Sequence, residues 1–205
     1  MGLVTGEDGK ARCAWGARPA IYRAYHDREW GRPVTDDIRL FEKLSLEGFQ
    51  AGLSWLTILN KRENFRAAFD GFDFHRIARY RPDDVTRLLA DPGIIRHRGK
   101  IEAVINNARC ALDVIAEAGS LAGFIWQYRP EPRPAPLSSD QLRQISQSPG
   151  SVALAKALKA RGWRFVGPTT VYAFFQAMGL VNDHGAGCWV QSEVEAAQRA
   201  ISPPG

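Results

Sequence analysis

Two groups of residues in this sequence have the types and spacing for chemistry. Cys13 and His26 are separated by twelve residues near one end, and His184 and Cys188 by three near the other. Two thiols and two imidazoles suit one tetrahedral zinc ion, Zn2+, held by four protein ligands. Four ligands close the coordination sphere, so the ion would be structural and would clip the N-terminal segment to the C-terminal one. A zinc hydrolase needs an open position that this set does not offer. The alternative is two ordinary thiols and two surface imidazoles. Cys110, inside an apolar helical pattern, reads as a small core residue, and His75 and His97 have no partner at metal-like spacing.

The second group centres on residues 46–55, L-E-G-F-Q-A-G-L-S-W. Glu47 falls at the border of an apolar stripe beside Leu40 and Ala51. Its carboxylate is then partly desolvated and needs a hydrogen bond or an opposite charge. Trp55 follows it, and Trp15, Tyr22, Tyr25 and Trp30 lie within a few residues of Cys13 and His26. If a metal pins segment 13–30 beside residues 47–55, these aromatics and one acid share a pocket. Flat apolar walls with one carboxylate suit a planar, electron-poor or cationic ring. A hydrophobic mini-core around a metal is the other use of the same residues.

Helices must hold both groups. Thr35 with Asp36 and Asp37 opens one, a hydroxyl cap with acids in the first turn; Ile38, Phe41, Leu44 and Gly48 then recur on one face. Gly52 ends it, Ser54 caps the next, and Trp55, Ile58, Leu59, Arg62 and Phe69 carry that one to about Gly71. Glu47, the apolar tip Gly52-Leu53 and Trp55 thus meet at one helix junction. Further helical patterns cover 74–80, 83–90, 100–118, 120–128, 151–160 and 169–178. Alternating prolines from Pro130 to Pro136 mark an extended surface linker. No stretch alternates convincingly at period two. The expectation is an all-α domain over 13–188, with room for two helical lobes about a linker near 129–138. Residues 1–12 and 189–205 are expected to be tails, the first of them loose.

At 205 residues and 45% hydrophobic, the chain can build a real core and is too apolar for disorder. No apolar run approaches the roughly 20 residues of a membrane span, and residues 1–12 lack the apolar centre of a signal peptide. Three cysteines do not make a disulfide framework. These features point to a cytoplasmic protein without a membrane partner. A net charge of +5 permits a polyanionic partner. The segment 162–170, G-W-R-F-V-G-P-T-T, joins two helices, and Val166-Gly167 followed by Thr169 reads as a helix-hairpin-helix. Such a hairpin aims backbone N–H groups and a helix N-terminus at phosphates and binds DNA without reading its sequence. Arg164 lies within it, and Lys156, Lys159 and Arg161 surround it. Arg96, Arg98 and Lys100 form a second basic cluster that could hold another phosphate. Phe165 stands where such a hairpin usually begins with glycine. A plain helix corner with solvated charges is the competing reading.

From Cys13 to about Cys188 the sequence resembles the type I DNA-3-methyladenine glycosylase family. The strings that carry the resemblance are Y-x-x-Y-H-D-x-E-W at 22–30, residues 46–55, G-I-I-R-H-R-G-K at 93–100, F-V-G-P-T-T at 165–170 and G-L-V-N-D-H at 179–184. The resemblance implies a divergent helix-hairpin-helix glycosylase fold with zinc on Cys13, His26, His184 and Cys188. It implies an enzyme that removes 3-methyladenine from alkylated double-stranded DNA and releases the free base; the chain is expected to act as a monomer. Glu47 and Tyr25 would hydrogen-bond the alkylated adenine during catalysis, and Tyr22 and Trp55 would stack on it. Trp15 and Trp30 would complete the walls, with Gly52-Leu53 as a wedge in the DNA. Relatives of this fold place an Asp after the hairpin; Asp183 is the nearest, but it adjoins His184 and reads as structural. No Lys is placed in the aromatic cluster, so hydrolysis without strand cleavage is expected. The rival reading is a zinc-stabilised, non-catalytic DNA-binding module, which leaves Glu47 among aromatics unexplained.

Overall fold

The computed structural model describes residues 2–202. The chain opens with β1 (Leu3–Thr5) and β2 (Ala11–Cys13), then α1 (Ala20–Arg28), α2 (Asp37–Gln50), α3 (Trp55–Asn60) and α4 (Arg62–Ala68). It continues with α5 (Phe74–Ile77), α6 (Pro82–Ala90), α7 (Arg98–Ala118) and α8 (Leu121–Trp126). The last helices are α9 (Ser139–Arg143), α10 (Pro149–Ala160), α11 (Pro168–Met178) and α12 (Gln191–Ala200).

The expected α2 forms, and residues 40–49 of it are buried without a break, against α7, α8 and α11. Its cap is Asp36, whose carboxylate accepts the Arg39 N–H at 2.8 Å, rather than Thr35. Asp37 accepts the Leu121 and Ala122 N–H groups, so one acid ties the starts of α2 and α8. At the other end Gly52 turns with φ +80°, and Ser54 caps α3 through the Thr57 N–H. The helix expected to reach Gly71 divides into α3 and α4.

Three expectations are corrected. The molecule is mostly but not wholly helical: β1 and β2 pair antiparallel, with Leu3 opposite Cys13. Residues 2–12 are therefore no loose tail. Arg12 is buried and pairs with Asp8 at 2.7 Å and Asp27 at 2.9 Å, which anchors the hairpin to α1. Strands of three residues are too short to show a period-two pattern. Beyond Cys188, α12 packs by a fully buried Val194, and Gln198 donates to the Gly31 carbonyl. The proline segment is extended but tied down: Arg133 reaches the Asn182 carbonyl, Asp183 and the Tyr172 hydroxyl.

The turn from α10 to α11 is clasped by α7. Asn107 accepts the Arg164 N–H and donates to the Arg164 carbonyl, while Asn106 donates to the Gly162 carbonyl. Phe165 has φ +57°, so it takes the left-handed conformation that a glycine would adopt freely. Lys100 is buried and donates to the Phe49 and Ala51 carbonyls at 2.9 and 2.6 Å. It satisfies the open C-terminal end of α2 instead of standing ready for a phosphate. Among the described residues no helix is long and apolar enough to cross a membrane.

Candidate active site and metal centre

The hairpin, α1 and the 180s loop bring Cys13, His26, His184 and Cys188 together. All four are buried, and their ligand atoms lie within 4.8 Å of one another. Cys188 Sγ is 3.5 Å from His26 Nε2 and 3.6 Å from His184 Nδ1. The other ring nitrogens are committed: His26 Nδ1 meets Asp27 at 2.8 Å, and His184 Nε2 meets the Trp30 carbonyl at 3.0 Å. These bonds fix both tautomers and aim the free nitrogens at the thiols, the usual support around a metal. Asp27 is itself braced by Arg12 and by the Trp189 indole. A hydrogen bond from Cys13 holds the Cys188 thiol far below its ordinary range against the cost of burial, helped by both imidazoles. The same contact, with burial, pushes Cys13 up. The cluster could hold a metal ion.

Next to it lies a cavity of about 570 Å³ lined by Trp15, Tyr22, Tyr25, Trp30, Glu47 and Trp55 among others. Every sequence-predicted wall residue is therefore present. The rings form a connected set: Trp15 lies edge-on to Tyr22 at 5.8 Å and to Trp30 at 4.8 Å, and Tyr25 is 5.5 Å from Trp55. Trp30 also faces His184 at 4.7 Å, so one indole belongs to both the pocket and the metal cluster. Glu47 and Tyr25 are buried at the pocket wall, whereas Trp15 is exposed at its edge. The Tyr25 hydroxyl is pushed well above its ordinary range by burial and by Glu47. The indole Nε1 of Trp55 is buried without a hydrogen-bond partner.

The expectation that no lysine enters the aromatic cluster is wrong. Lys43, one turn before Glu47 on α2, is buried and pairs with Glu47 at 2.8 Å. It donates to the Tyr25 hydroxyl at 2.9 Å and stands 3.3 Å from the Trp55 ring centroid. Burial pushes its pKa down and Glu47 pulls it back. The signal was available, because residues four apart share a helix face and a desolvated acid needs a cation. Gln50, Gln176, Ser139, Leu142 and Ile145 also line the cavity. The last three lie in or beside α9, which follows the proline segment and carries no strong pattern of its own.

Asp183 borders the cavity but is engaged by Arg133, Tyr172 and Gln176 at 2.6, 2.8 and 2.7 Å. Gly52 and Leu53 form an exposed tip on the α2–α3 turn, just past the end of the helix that carries Glu47. Val166 is buried, while Arg164, Phe165 and Thr169 remain exposed on the α10–α11 side.

This geometry has relatives. A family model described as methyladenine glycosylase matches residues 15–191. DNA-3-methyladenine glycosylase 1 of Escherichia coli K12 is 50% identical over 178 residues, covering 86% of this chain and 95% of its own. A crystal structure of 3-methyladenine DNA glycosylase I matches with TM-score 0.82 and 52% identity over 87% of this chain and 98% of that one. A single-substitution variant of such an enzyme, solved in complex with 3-methyladenine, matches with TM-score 0.82 and 36% identity over 88% of this chain and 97% of that one. With a match over most of its length and the aromatic pocket in place, this chain belongs to the methyladenine glycosylase family.

Proposed function

We propose that the protein is a DNA-3-methyladenine glycosylase that draws the alkylated base out of double-stranded DNA and hydrolyses its bond to the sugar, acting as a monomer in the cytoplasm. The observation that carries this reading is the buried Glu47 and Tyr25 pair set among Tyr22, Trp55, Trp15 and Trp30 on one cavity. A methyl group on N3 gives adenine a positive charge and weakens its bond to the sugar, so the enzyme's work is to find, extrude and hold the base. Tyr22 and Trp55 offer stacking faces, and Glu47 and Tyr25 offer polar atoms for the amino edge. The α10–α11 turn is the helix-hairpin-helix: Gly167 opens α11, and the exposed Arg164 and Thr169 stand beside that N-terminus as phosphate contacts. Leu53 is the wedge that fills the space left by the base.

The four-ligand cluster would hold one zinc ion in a structural role. The fit is geometric: tetrahedral zinc with ordinary bond lengths separates a sulfur from a nitrogen ligand by about 3.5 Å, and Cys188 stands 3.5 and 3.6 Å from the two imidazoles. Zinc bound there ties the hairpin and α1 to the 180s loop.

Lys43 brings an amine to the pocket wall, placed among the groups proposed for the base rather than for the sugar. Hydrolysis without strand cleavage is retained. The test is incubation with methylated duplex DNA and chromatography of the released bases. Free 3-methyladenine with intact strands is expected, and borohydride should trap no complex with abasic DNA. DNA binding with no base release would support the non-catalytic reading instead.

A further inference from the structure

The surroundings of Lys43 are those the reading above assigns to the base. Its Nζ has the Glu47 carboxylate at 2.8 Å, the Tyr25 hydroxyl at 2.9 Å and the Trp55 ring centroid at 3.3 Å. These are a carboxylate, a hydroxyl and a flat aromatic face, the partners that a cationic purine would use. The ammonium is buried and borders the same 570 Å³ cavity. The other charges that act on it are Arg62 and Glu29, which pair with each other at 2.6 Å and largely cancel. One carboxylate therefore answers one ammonium, and Asp183, the other acid lining the cavity, is answered by Arg133 at 2.6 Å, so no unpaired carboxylate awaits an incoming cation.

Resting on the reading of this pocket as the base slot, we propose that Lys43 is a specificity-determining residue: a resident cation that occupies the base's place on Glu47, Tyr25 and Trp55 and must be displaced before a base binds. Displacement weighs most on a charged ligand. A cationic ring competes with the ammonium for a single carboxylate, and the two repel if both remain. A neutral planar base needs a stacking face and hydrogen bonds, so it suffers less from the same neighbour. Burial already disfavours the charged amine, which loosens its hold on the slot. The cavity gives the incoming ring room on the side the ammonium now borders. Lys43 thus offsets the charge selection that Glu47 alone would impose and shifts the balance toward shape.

The experiment is calorimetric titration of wild type and Lys43→Met with two probes. One is 3-methyladenine, neutral at pH 7.5; the other is 3,9-dimethyladeninium, a cation at that pH whose 9-methyl group stands for the sugar. In Lys43→Met, affinity for the cation should rise about tenfold or more, the scale of one charged contact, while that for the neutral base changes far less. Lys43→Gln, which keeps a hydrogen-bonding end without the charge, should raise the same ratio and serves where the Met variant does not fold. A ratio of cation to neutral affinity equal to wild type in either folded variant overturns the proposal. A merely structural lysine would alter stability and both affinities together, leaving that ratio in place. Trp55→Ala is titrated alongside. Lost binding there with an unchanged ratio in the Lys43 variants defeats the Lys43 proposal alone; unchanged binding of both probes to Trp55→Ala defeats the base-slot reading and this proposal with it.

Discussion

The metal cluster draws its side chains from positions 13, 26, 184 and 188, whereas the acid, the lysine and four of the five aromatics of the pocket come from residues 22–55. Both bury polar groups, but the polar groups answer different needs. In the cluster the two imidazoles and two thiols can all be satisfied by one ion, and their second nitrogens already have partners. In the pocket Glu47 is satisfied by a lysine one turn away on the same helix. The first arrangement holds distant parts of the chain together. The second is local and leaves polar atoms that a ligand can claim. The two regions meet at Trp30 and at α1, where Tyr25 faces the pocket and the adjacent His26 faces the cluster.

If this contrast is right, damage to the cluster should cost the most and should spread to the pocket. Cys188→Ser is expected to lose the metal. Metal held by the folded chain alone stabilises it by about 4 kcal/mol when free metal stands a thousandfold above its Kd, and losing that corresponds to a Tm drop of about 8–16 °C. Metal analysis and scanning calorimetry check this, and a metal-free protein of wild-type Tm would remove the clip from the account.

Glu47→Gln sharpens the comparison from the other side. It leaves the buried Lys43 without its counter-ion, so stability should fall by about 3–5 kcal/mol with metal content unchanged. Binding of free 3-methyladenine should weaken by about 1.5–3 kcal/mol. The double variant with Lys43→Met should recover much of the lost stability but not the lost binding. Wild-type stability in the single variant would show that Lys43 does not depend on Glu47.

The smallest effect is expected at the exposed tip. Leu53→Gly should leave the fold and base binding intact and weaken binding to DNA carrying an abasic-site analogue by about 1 kcal/mol, part of the value of burying a Leu side chain. Fluorescence anisotropy measures it, and equal affinity would mean that the tip does not enter the DNA.

Much of the site was legible because its residues are chemically expensive to bury. Glu47 on an apolar helix face, and thiols paired with imidazoles, each demand a partner, and their spacing pointed to the helix junction and to the four-residue cluster. The partner of Glu47 is legible in the i, i+4 relation to Lys43, but a lysine on a helix is ordinarily solvated, and only the burial of this face turns it inward. The N-terminal hairpin was missed because three-residue strands carry no periodic signal, and its stability comes from Arg12, Asp8 and Asp27. The contribution of residues 139–145 to the cavity was unreadable for a different reason: it depends on where Arg133 fastens the proline segment, which no local pattern records. Phe165 shows the reverse case. It departs from the expected hairpin pattern, yet its φ of +57° is one that a glycine would adopt freely.

The separation of the four clustered residues also sets a timetable for synthesis. Cys13 and His26 are made first, and their partners follow some 160–175 residues later. At about 5–20 residues per second that interval is roughly 10–35 s. Throughout it, the Cys13 thiol and the His26 imidazole stand on a nascent chain without their partners. The four-residue cluster can therefore assemble only after residue 188 has been made, and alkylation of Cys13 in ribosome-bound chains halted before His184 would reveal the waiting state.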